Sequence, residues 1–174
     1  MSAIDYDLKR IKGIAFDVDG VLSASVVPID ISGEPLRMMN IKDGYAIQFA
    51  VKQGLNIAII TGSNSKGVYT RFKELGVEDI YMSSAIKMPD LNNWMQKRNL
   101  EPENVAYVGD DIPDIQVMNS VGLPVAPIDA AIDVKQIAKY ISPVKGGEGC
   151  GRDLIEQVLR AQGKWLNGEE AYRW

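Results

Sequence analysis

The fold and the candidate site of this chain are predicted first from the stretch Ile14-Ala15-Phe16-Asp17-Val18-Asp19-Gly20-Val21. Its apolar beginning predicts a buried strand that ends in two carboxylates one residue apart. Because alternate side chains of a strand point to the same face, Asp17 and Asp19 are expected to leave its carboxyl end together. Two like charges this close call for a cation or a shared proton, and ligands bind beyond the strand ends of open α/β sheets. On this stretch alone, a simple turn built from Asp and Gly is an equally good interpretation.

The composition narrows the classes of function that the chain can have. Its 174 residues are 46% hydrophobic and 24% charged, which predicts a single globular domain. There is no histidine, which excludes Ser-His-Asp and Cys-His nucleophiles and imidazole-based zinc sites. A net charge of −4 argues against nucleic acid or an anionic membrane as a partner. The single cysteine, short apolar runs and lack of a signal pattern predict a cytoplasmic protein.

Strand patterns alternate with helical patterns along the chain. This alternation predicts one α/β domain over residues 1–174, with a Rossmann-like parallel sheet, helices on both faces and no cap domain. Residues 1–12 are predicted only to lead into the first strand. The predicted strands cover residues 12–17, 55–60, 80–82 and 105–108, with edge-strand candidates at 123–126 and 140–142. The predicted helices begin near Asp43, Ile86, Pro113, Ala131 and Arg152, and one more follows Ser63 with Val68, Phe72 and Leu75 at helical spacing.

Two segments depart from this alternation. Residues of about 23–41 form two apolar arms around Ser32-Gly33-Glu34-Pro35, which predicts a β-hairpin insertion. Its apolar content indicates that it packs either on the body or on another subunit. A tail of about residues 163–174 carries Trp165, Tyr172 and Trp174, and it either docks on the body or a neighbour or is disordered.

Polar residues follow three of the predicted buried strands, whose carboxyl ends should meet at one edge of the sheet. They are Asp17 and Asp19 after the first strand, Thr61 and Ser63 after the second, and Asp110, Asp111 and Asp114 after the third. Such a carboxylate cluster favours Mg²⁺, while Thr61 and Lys87 offer donors for phosphate oxygens. The combination indicates phosphoryl transfer through an aspartyl phosphate.

Each of these features has an ordinary structural alternative when it is taken alone. Thr61 could cap a helix, Lys87 could be a solvated lysine, and the acids from Asp110 to Asp114 could interact with a helix dipole. Their occurrence at successive strand ends favours the functional interpretation. The glycine-rich stretch 146–153 has Walker-type spacing, but Arg152 and Asp153 replace the phosphate- and metal-binding residues, so we expect a loop that brings Arg152 towards an anionic ligand.

The same residues resemble the four motifs of the haloacid dehalogenase-like phosphatases. The matching stretches are Asp17-Val18-Asp19-Gly20-Val21, Thr61-Gly62, Lys87, and Gly109-Asp110-Asp111 with Asp114. The resemblance implies that Asp17 is the nucleophile and Asp19 the general acid and then base. It implies that Mg²⁺ is held by Asp17, Asp110 and the backbone carbonyl of Asp19. Thr61 and Lys87 would stabilise the phosphoryl group, while Asp111 and Asp114 would support the metal or orient Lys87.

A narrower resemblance is to the 3-deoxy-manno-octulosonate 8-phosphate phosphatases of lipopolysaccharide synthesis, which lack a cap domain. It rests on residues 40–45, residues 102–111 and the loop from Gly146 to Arg152. It implies a homotetramer assembled through the hairpins, in which a neighbouring subunit closes each site. It also implies that an acidic sugar phosphate contacts Asp19, Asn40, Ile41, Lys42, Asp43, Gly44, Gln48, Gly62, Ser63, Arg71, Lys87 and Arg152, with Arg71 suited to the sugar-acid carboxylate.

Three departures from that pattern leave other substrates open. Gln48, Ser63 and Glu148 stand where many of those phosphatases carry arginine. Phosphatases of nine-carbon 2-keto-3-deoxy sugar acid 9-phosphates are therefore the alternative. A receiver-like signalling domain also combines an aspartyl phosphate, Mg²⁺, threonine and lysine. The order of the motifs, with the acidic pair after the first strand and Thr61 after the second, favours the hydrolase.

Overall fold

Six strands form one sheet at the centre of the computed structural model, which describes residues 4–173. The strands are β1 (Gly13–Phe16), β2 (Asn56–Ile60), β3 (Asp79–Tyr81), β4 (Val105–Val108), β5 (Leu123–Ala126) and β6 (Tyr140–Ile141). Their order in the sheet is β3-β2-β1-β4-β5-β6, and all five pairings are parallel. The predicted parallel α/β fold is confirmed. The expectation that residues 123–126 form an edge strand is wrong, because β5 lies between β4 and β6.

Helices cover both faces of the sheet, as predicted. They are α1 (Ile41–Lys52), α2 (Lys66–Glu74), α3 (Lys87–Arg98), α4 (Ile115–Asn119), α5 (Ile132–Ile137) and α6 (Cys150–Ala161). The buried side chains of α1, α2 and α6 form one core with one face of the strands, and those of α3, α4 and α5 form a second core with the other face. The central strands are apolar on both sides because both of their faces are covered.

The register of the three central strands brings their carboxyl ends to one level. Phe16 at the end of β1 pairs with Ile59 of β2 on one side and with Val108 of β4 on the other. The residues that follow these strands therefore emerge side by side. Within residues 4–173 no domain is inserted that could cover this edge.

The predicted hairpin is an antiparallel arm with little regular ladder. Its strands meet in two isolated bridges, Ser23 with Met39 and Ile29 with Pro35. Pro28 and Pro35 lack the N–H groups that a continuous ladder requires. Val26, Ile29 and Ile31 are 86%, 69% and 108% exposed, so these three side chains do not pack onto the body of this chain, whereas Met39 at the base of the arm does.

Both ends of the described chain pack against the body. Ile4, Leu8 and Ile11 are buried in the core, which corrects the expectation that residues 1–12 only lead into the first strand. In the tail, the Trp165 ring meets the Phe49 ring edge-on at 5.7 Å, and the Ala171 carbonyl accepts a hydrogen bond from the Tyr45 hydroxyl. The tail therefore docks on α1, while Trp174 lies outside the described residues.

The helices α1 and α6 begin earlier than predicted because of their caps. The helix α1 begins at Ile41 rather than Asp43, since the Asn40 side chain accepts a hydrogen bond from the backbone N–H of Lys42 at 2.8 Å. The helix α6 begins at Cys150 rather than Arg152, directly after Gly149 with its positive φ of 118°. In the described part of the chain, no helix has the length and apolar character needed to cross a bilayer.

Candidate active site

The carboxyl ends of β1, β2 and β4 surround a cavity of about 530 Å³, which we call the mouth. It contains every residue to which sequence analysis gave a catalytic, metal-binding or supporting role. Its lining is Asp17, Asp19, Gly20, Ser25, Arg37, Thr61, Gly62, Ser63, Ser84, Ala85, Lys87, Asp110, Asp111, Pro113 and Asp114.

Lys87 lies at the centre of the charge network of the mouth. It is the first residue of α3, and its Nζ lies 2.9 Å from Asp17 Oδ2 and 2.7 Å from Asp114 Oδ1. The ammonium group is almost fully buried, with 5% of the side chain exposed. A lysine held between two carboxylates is fixed in position and is directed at the nucleophile candidate.

Asp114 is fully engaged by the protein. Its Oδ1 also accepts a hydrogen bond from the Tyr107 hydroxyl at 2.8 Å, and its Oδ2 accepts hydrogen bonds from the backbone N–H groups of Asp110 and Asp111. With all of these partners, its carboxylate holds Lys87 and the turn after β4 in place. Of the two supporting roles predicted for Asp114, the geometry favours orientation of Lys87.

The carboxylates of Asp17 and Asp110 repel other acids of the mouth, and the positive charge of Lys87 offsets only part of this repulsion. Burial and then repulsion from Asp114 raise the pKa of Asp17 to about 7, although Lys87 lowers it. Burial and then repulsion from Asp17 and Asp114 raise the pKa of Asp110 to about 8. For Lys87, burial opposes the charged form, but Asp17 and Asp114 outweigh it and the pKa is raised. One ammonium group does not balance these carboxylates.

The acids that face one another fit a divalent cation. Oxygens of Asp17, Asp110 and Asp114 lie within 4.8 Å of one another. Gly20 has a φ of 78°, and a Cβ at this position would lie 1.9 Å from Asp110 Oδ2, so only glycine lets that carboxylate approach the strand end. An all-oxygen donor set with raised carboxylate pKa values suits a hard cation such as Mg²⁺. Asp17 and Asp110 are the side chains placed to hold it.

Asp19 has a partner that sequence analysis missed. Arg37, on the returning arm of the hairpin, donates through Nε to Asp19 Oδ1 at 2.7 Å and through Nη2 to Asp19 Oδ2 at 2.8 Å. The hydrogen bonds to Asp19 are the largest cause of the raised pKa of Arg37. One sign of this contact is present in the sequence, because Arg37 is a basic residue between the apolar residues Leu36 and Met38. The arm has no periodic pattern that predicts where the Arg37 side chain points.

The loop after β2 offers donors to the mouth. The Thr61 hydroxyl oxygen accepts a hydrogen bond from the backbone N–H of Ser63 at 3.1 Å, and the Thr61 carbonyl accepts one from Ser84 N–H at 2.9 Å. These bonds fix the backbone around Gly62 beside Lys87. Ser84 and Tyr107 are two further residues of the site that sequence analysis did not single out, since neither belongs to a recognisable motif.

Four of the predicted substrate-binding residues instead meet where the N-termini of α1 and α6 approach each other, which we call the α1–α6 junction. Asp43 is 2% exposed, and its Oδ1 accepts a hydrogen bond from Arg152 N–H at 2.6 Å. Asn40 donates to the Gly147 carbonyl, and the Arg71 guanidinium lies against Gly44. Asn40, Asp43, Gly44 and Arg71 surround a cavity of only about 10 Å³. The Asp43 carboxylate is turned inward and caps α6, and its contact with substrate stays a prediction.

Arg152 also belongs to the α1–α6 junction. Its guanidinium lies 5.7 Å from the Tyr45 ring centroid and 5.2 Å from the Trp165 ring centroid, and its Nε lies 3.3 Å from Glu156. It therefore stacks on α1 and the tail rather than entering the mouth.

The remaining predicted substrate residues are divided. Gly62, Ser63 and Lys87 line the mouth, whereas Ile41, Lys42 and Gln48 do not line it within residues 4–173. Ile41 and Lys42 are exposed and Gln48 is half-buried. Contact of these three residues with substrate stays a prediction.

The chain matches known phosphatases along most of its length. The family model of haloacid dehalogenase-like hydrolases matches residues 45–128. The 3-deoxy-D-manno-octulosonate 8-phosphate phosphatase of Escherichia coli K12 is 39% identical over 156 residues, which are 90% of this chain and 83% of that protein.

Solved structures extend this similarity to the fold. The Yersinia pestis phosphatase of the same name has a TM-score of 0.87 and 35% identity, with 91% of this chain and 85% of that chain covered. The Moraxella catarrhalis phosphatase, solved with a magnesium ion, a phosphate ion and 3-deoxy-D-manno-octulosonate, has a TM-score of 0.89 and 30% identity, with 96% of each chain covered. The chain therefore belongs to the haloacid dehalogenase-like hydrolases and is a phosphoric monoester hydrolase.

Proposed function

We propose that the protein is a Mg²⁺-dependent phosphatase that hydrolyses 3-deoxy-D-manno-octulosonate 8-phosphate to the free sugar acid and phosphate, a step of lipopolysaccharide precursor synthesis. The observation that carries the proposal is the convergence of Asp17, Lys87 and Asp110 in the mouth of a chain so similar to phosphatases of that substrate. The buried, fixed lysine beside a carboxylate is an arrangement suited to phosphoryl transfer.

The mechanism uses two carboxylates with different surroundings. An oxygen of Asp17 attacks phosphorus in line as the bond from phosphorus to the sugar oxygen breaks, and Asp19 gives its proton to that oxygen. Water then attacks the aspartyl phosphate, Asp19 takes its proton, and the bond between phosphorus and Asp17 breaks to release phosphate. The Asp17 side chain is 12% exposed and is fixed by Lys87, whereas the Asp19 side chain is 47% exposed.

The surrounding residues hold the phosphoryl group. Lys87 provides the positive charge beside the attacking oxygen, while the Thr61 hydroxyl and the backbone around Gly62 provide donors for the phosphoryl oxygens. Asp17 and Asp110, with the Asp19 backbone carbonyl, would hold Mg²⁺. When bound, the cation neutralises phosphoryl charge that these acids would otherwise repel.

A nine-carbon sugar acid 9-phosphate is the second candidate substrate. It is favoured by Gln48 and Ser63, which reduce the positive charge available to the distal part of the substrate. The test is kcat/KM for the two acids with purified protein and Mg²⁺, since specificity is the ratio of these values. We expect the eight-carbon substrate to be preferred by at least about tenfold. Preference for the nine-carbon substrate would reassign the function, and hydrolysis of neither would reject it.

We further propose that the protein is a homotetramer assembled through the hairpin. The support is the exposed apolar surface of that arm, which includes Val26, Ile29, Ile31, Leu36 and Met38. Light scattering at micromolar concentration should give four times the chain mass, and Ile29→Asp with Ile31→Asp should lower it. A fully active monomer would reject this proposal.

The compartment that we propose is the cytoplasm. Cys150, the chain's single cysteine, is free and buried, which fits a reducing compartment. Fractionation of cells that produce the natural protein should recover it with cytoplasmic markers.

A further inference from the structure

The contact between Arg37 and Asp19 occupies both oxygens of the proton-transferring carboxylate. The guanidinium binds in a fork, with donor–acceptor distances of 2.7 and 2.8 Å. The Arg37 side chain is only 9% exposed. Its other hydrogen bond, from Nη1 to the Pro35 carbonyl at 3.3 Å, ties it to the hairpin. An Asp19 oxygen that binds Arg37 is not free to serve the oxygen of a leaving sugar.

Positive charge in the mouth is scarce. Among the described lining residues, five are acidic, Asp17, Asp19, Asp110, Asp111 and Asp114, and two are basic, Arg37 and Lys87. Lys87 is held between Asp17 and Asp114 at the phosphoryl position. Arg71, which was expected to meet the sugar-acid carboxylate, lies at the α1–α6 junction. Arg37 is therefore the guanidinium that remains in the mouth for a second anionic group of the substrate.

We propose that Arg37 determines specificity by exchanging the Asp19 carboxylate for the carboxylate of the substrate. The planar fork fits either carboxylate equally well, so the exchange replaces one bidentate ion pair with another of the same kind. The exchange makes and breaks only hydrogen bonds. The released Asp19 carboxylate takes up a proton from solvent and can then give it to the leaving-group oxygen. The phosphate ester of a neutral sugar has no carboxylate that can compete for Arg37. Asp19 then stays bound to Arg37 and hydrolysis is slow. This inference rests on the proposed function.

The test compares three substrates in the presence of Mg²⁺: 3-deoxy-D-manno-octulosonate 8-phosphate, glucose 6-phosphate and 4-nitrophenyl phosphate. In Arg37→Gln, kcat/KM for the acidic sugar should fall and that for glucose 6-phosphate should hold or rise. We expect the ratio of the two values to fall about 10- to 100-fold, as for loss of a charged hydrogen bond pair. The nitrophenolate leaving group needs little protonation, so kcat/KM for 4-nitrophenyl phosphate should change less than about threefold.

The control is Arg10→Gln, which makes the same change of charge. Arg10 lies 3.7 Å from Glu103 in a surface pair with both side chains about half exposed, so the three values should be unchanged. Arg37→Lys keeps the charge without the fork and provides a second variant in case Arg37→Gln does not fold. Its substrate ratio should lie between those of the wild type and Arg37→Gln.

The outcomes separate this inference from the function on which it rests. A wild-type enzyme that hydrolyses the acidic sugar phosphate, with a substrate ratio unchanged in both Arg37 variants, would overturn the inference alone. A parallel fall for all three substrates would also overturn it, because Arg37 would then serve only to hold the arm or Asp19 in place. Failure of the wild type to hydrolyse any acidic sugar phosphate would reject the proposed function as well.

Discussion

The mouth and the α1–α6 junction both place a buried carboxylate beside backbone N–H groups and an arginine or a lysine, yet only the mouth is built for chemistry. At the junction, Asp43 caps α6 and the cavity has a volume of about 10 Å³. In the mouth, several acids face one another around Lys87, with about 530 Å³ of open space. A buried acid therefore indicates a reactive site when neighbouring acids repel it and a cavity beside it can hold a ligand. A buried acid such as Asp43, which caps a helix and has almost no cavity beside it, has a structural role.

Removal of Mg²⁺ should produce the largest loss in the mouth. Chelation with EDTA is expected to lower kcat/KM by more than about a thousandfold, because the metal offsets several kcal/mol of charge repulsion. Asp110→Asn should raise the Mg²⁺ concentration required for half-maximal activity. The control is Asp133→Asn, which makes the same change at an exposed residue outside the lining of the mouth and should leave that concentration unchanged. Full activity in EDTA would contradict the claim that the acids of the mouth hold a metal required for the reaction.

Lys87→Met should be the next largest effect. Loss of the ammonium group beside Asp17 is expected to lower kcat by about 10²–10³-fold, as for other groups that stabilise charge in a transition state. Lys97 provides a matched control on the same helix, where it pairs with Asp79 at 2.6 Å. Lys97→Met should retain kcat even where it lowers the melting temperature. Equal losses of kcat in both variants would mean that Lys87 only stabilises the fold.

Asp114→Asn should have a smaller effect, because Asp114 positions Lys87 and does not react. We expect kcat to fall about 10- to 100-fold, the range for a group that orients a reacting one. Tyr107→Phe, which removes one donor to the same oxygen, should cost less than Asp114→Asn. A loss as large as that of the nucleophile would show that Asp114 itself participates in the reaction.

Asp43→Asn should have the smallest effect on activity. It removes a buried titrating group and should therefore change how the free energy of unfolding depends on pH. Burial raises the pKa of Asp43 from 3.8 to about 6, so the folded state holds the proton more tightly than the unfolded state. The resulting stability is fully present below pH 3.8 and is lost as the pH rises through about 6. Relative to Asp43→Asn, the wild type should therefore lose about 1 kcal/mol of unfolding free energy between pH 5 and pH 7.5. Urea titrations at both pH values measure this difference. A kcat/KM that is more than about tenfold lower in Asp43→Asn than in the wild type would indicate that Asp43 contacts the substrate.

Sequence reasoning succeeded where strand geometry dictates position. Asp17, Thr61 and Asp110 follow neighbouring parallel strands, and the register of those strands was sufficient to bring them together. It did not reveal that Asp43 caps α6 or that Arg152 lies against Tyr45 and Trp165, because spacing along a helix does not tell which neighbouring element a side chain faces. Arg37 was missed for a related reason, since an irregular arm with two isolated bridges has no period from which its direction could be read.

The most direct test of the account is to find the phosphoryl group on Asp17. Wild-type protein mixed with 3-deoxy-D-manno-octulosonate 8-phosphate and Mg²⁺, quenched in acid within milliseconds and analysed by peptide mass spectrometry, should carry one phosphoryl group on the peptide that contains Asp17. Asp17→Asn should carry none, should lose at least about 10⁴-fold in kcat, and should keep its fold. A phosphoryl group on another residue, or substantial turnover by Asp17→Asn, would contradict the account.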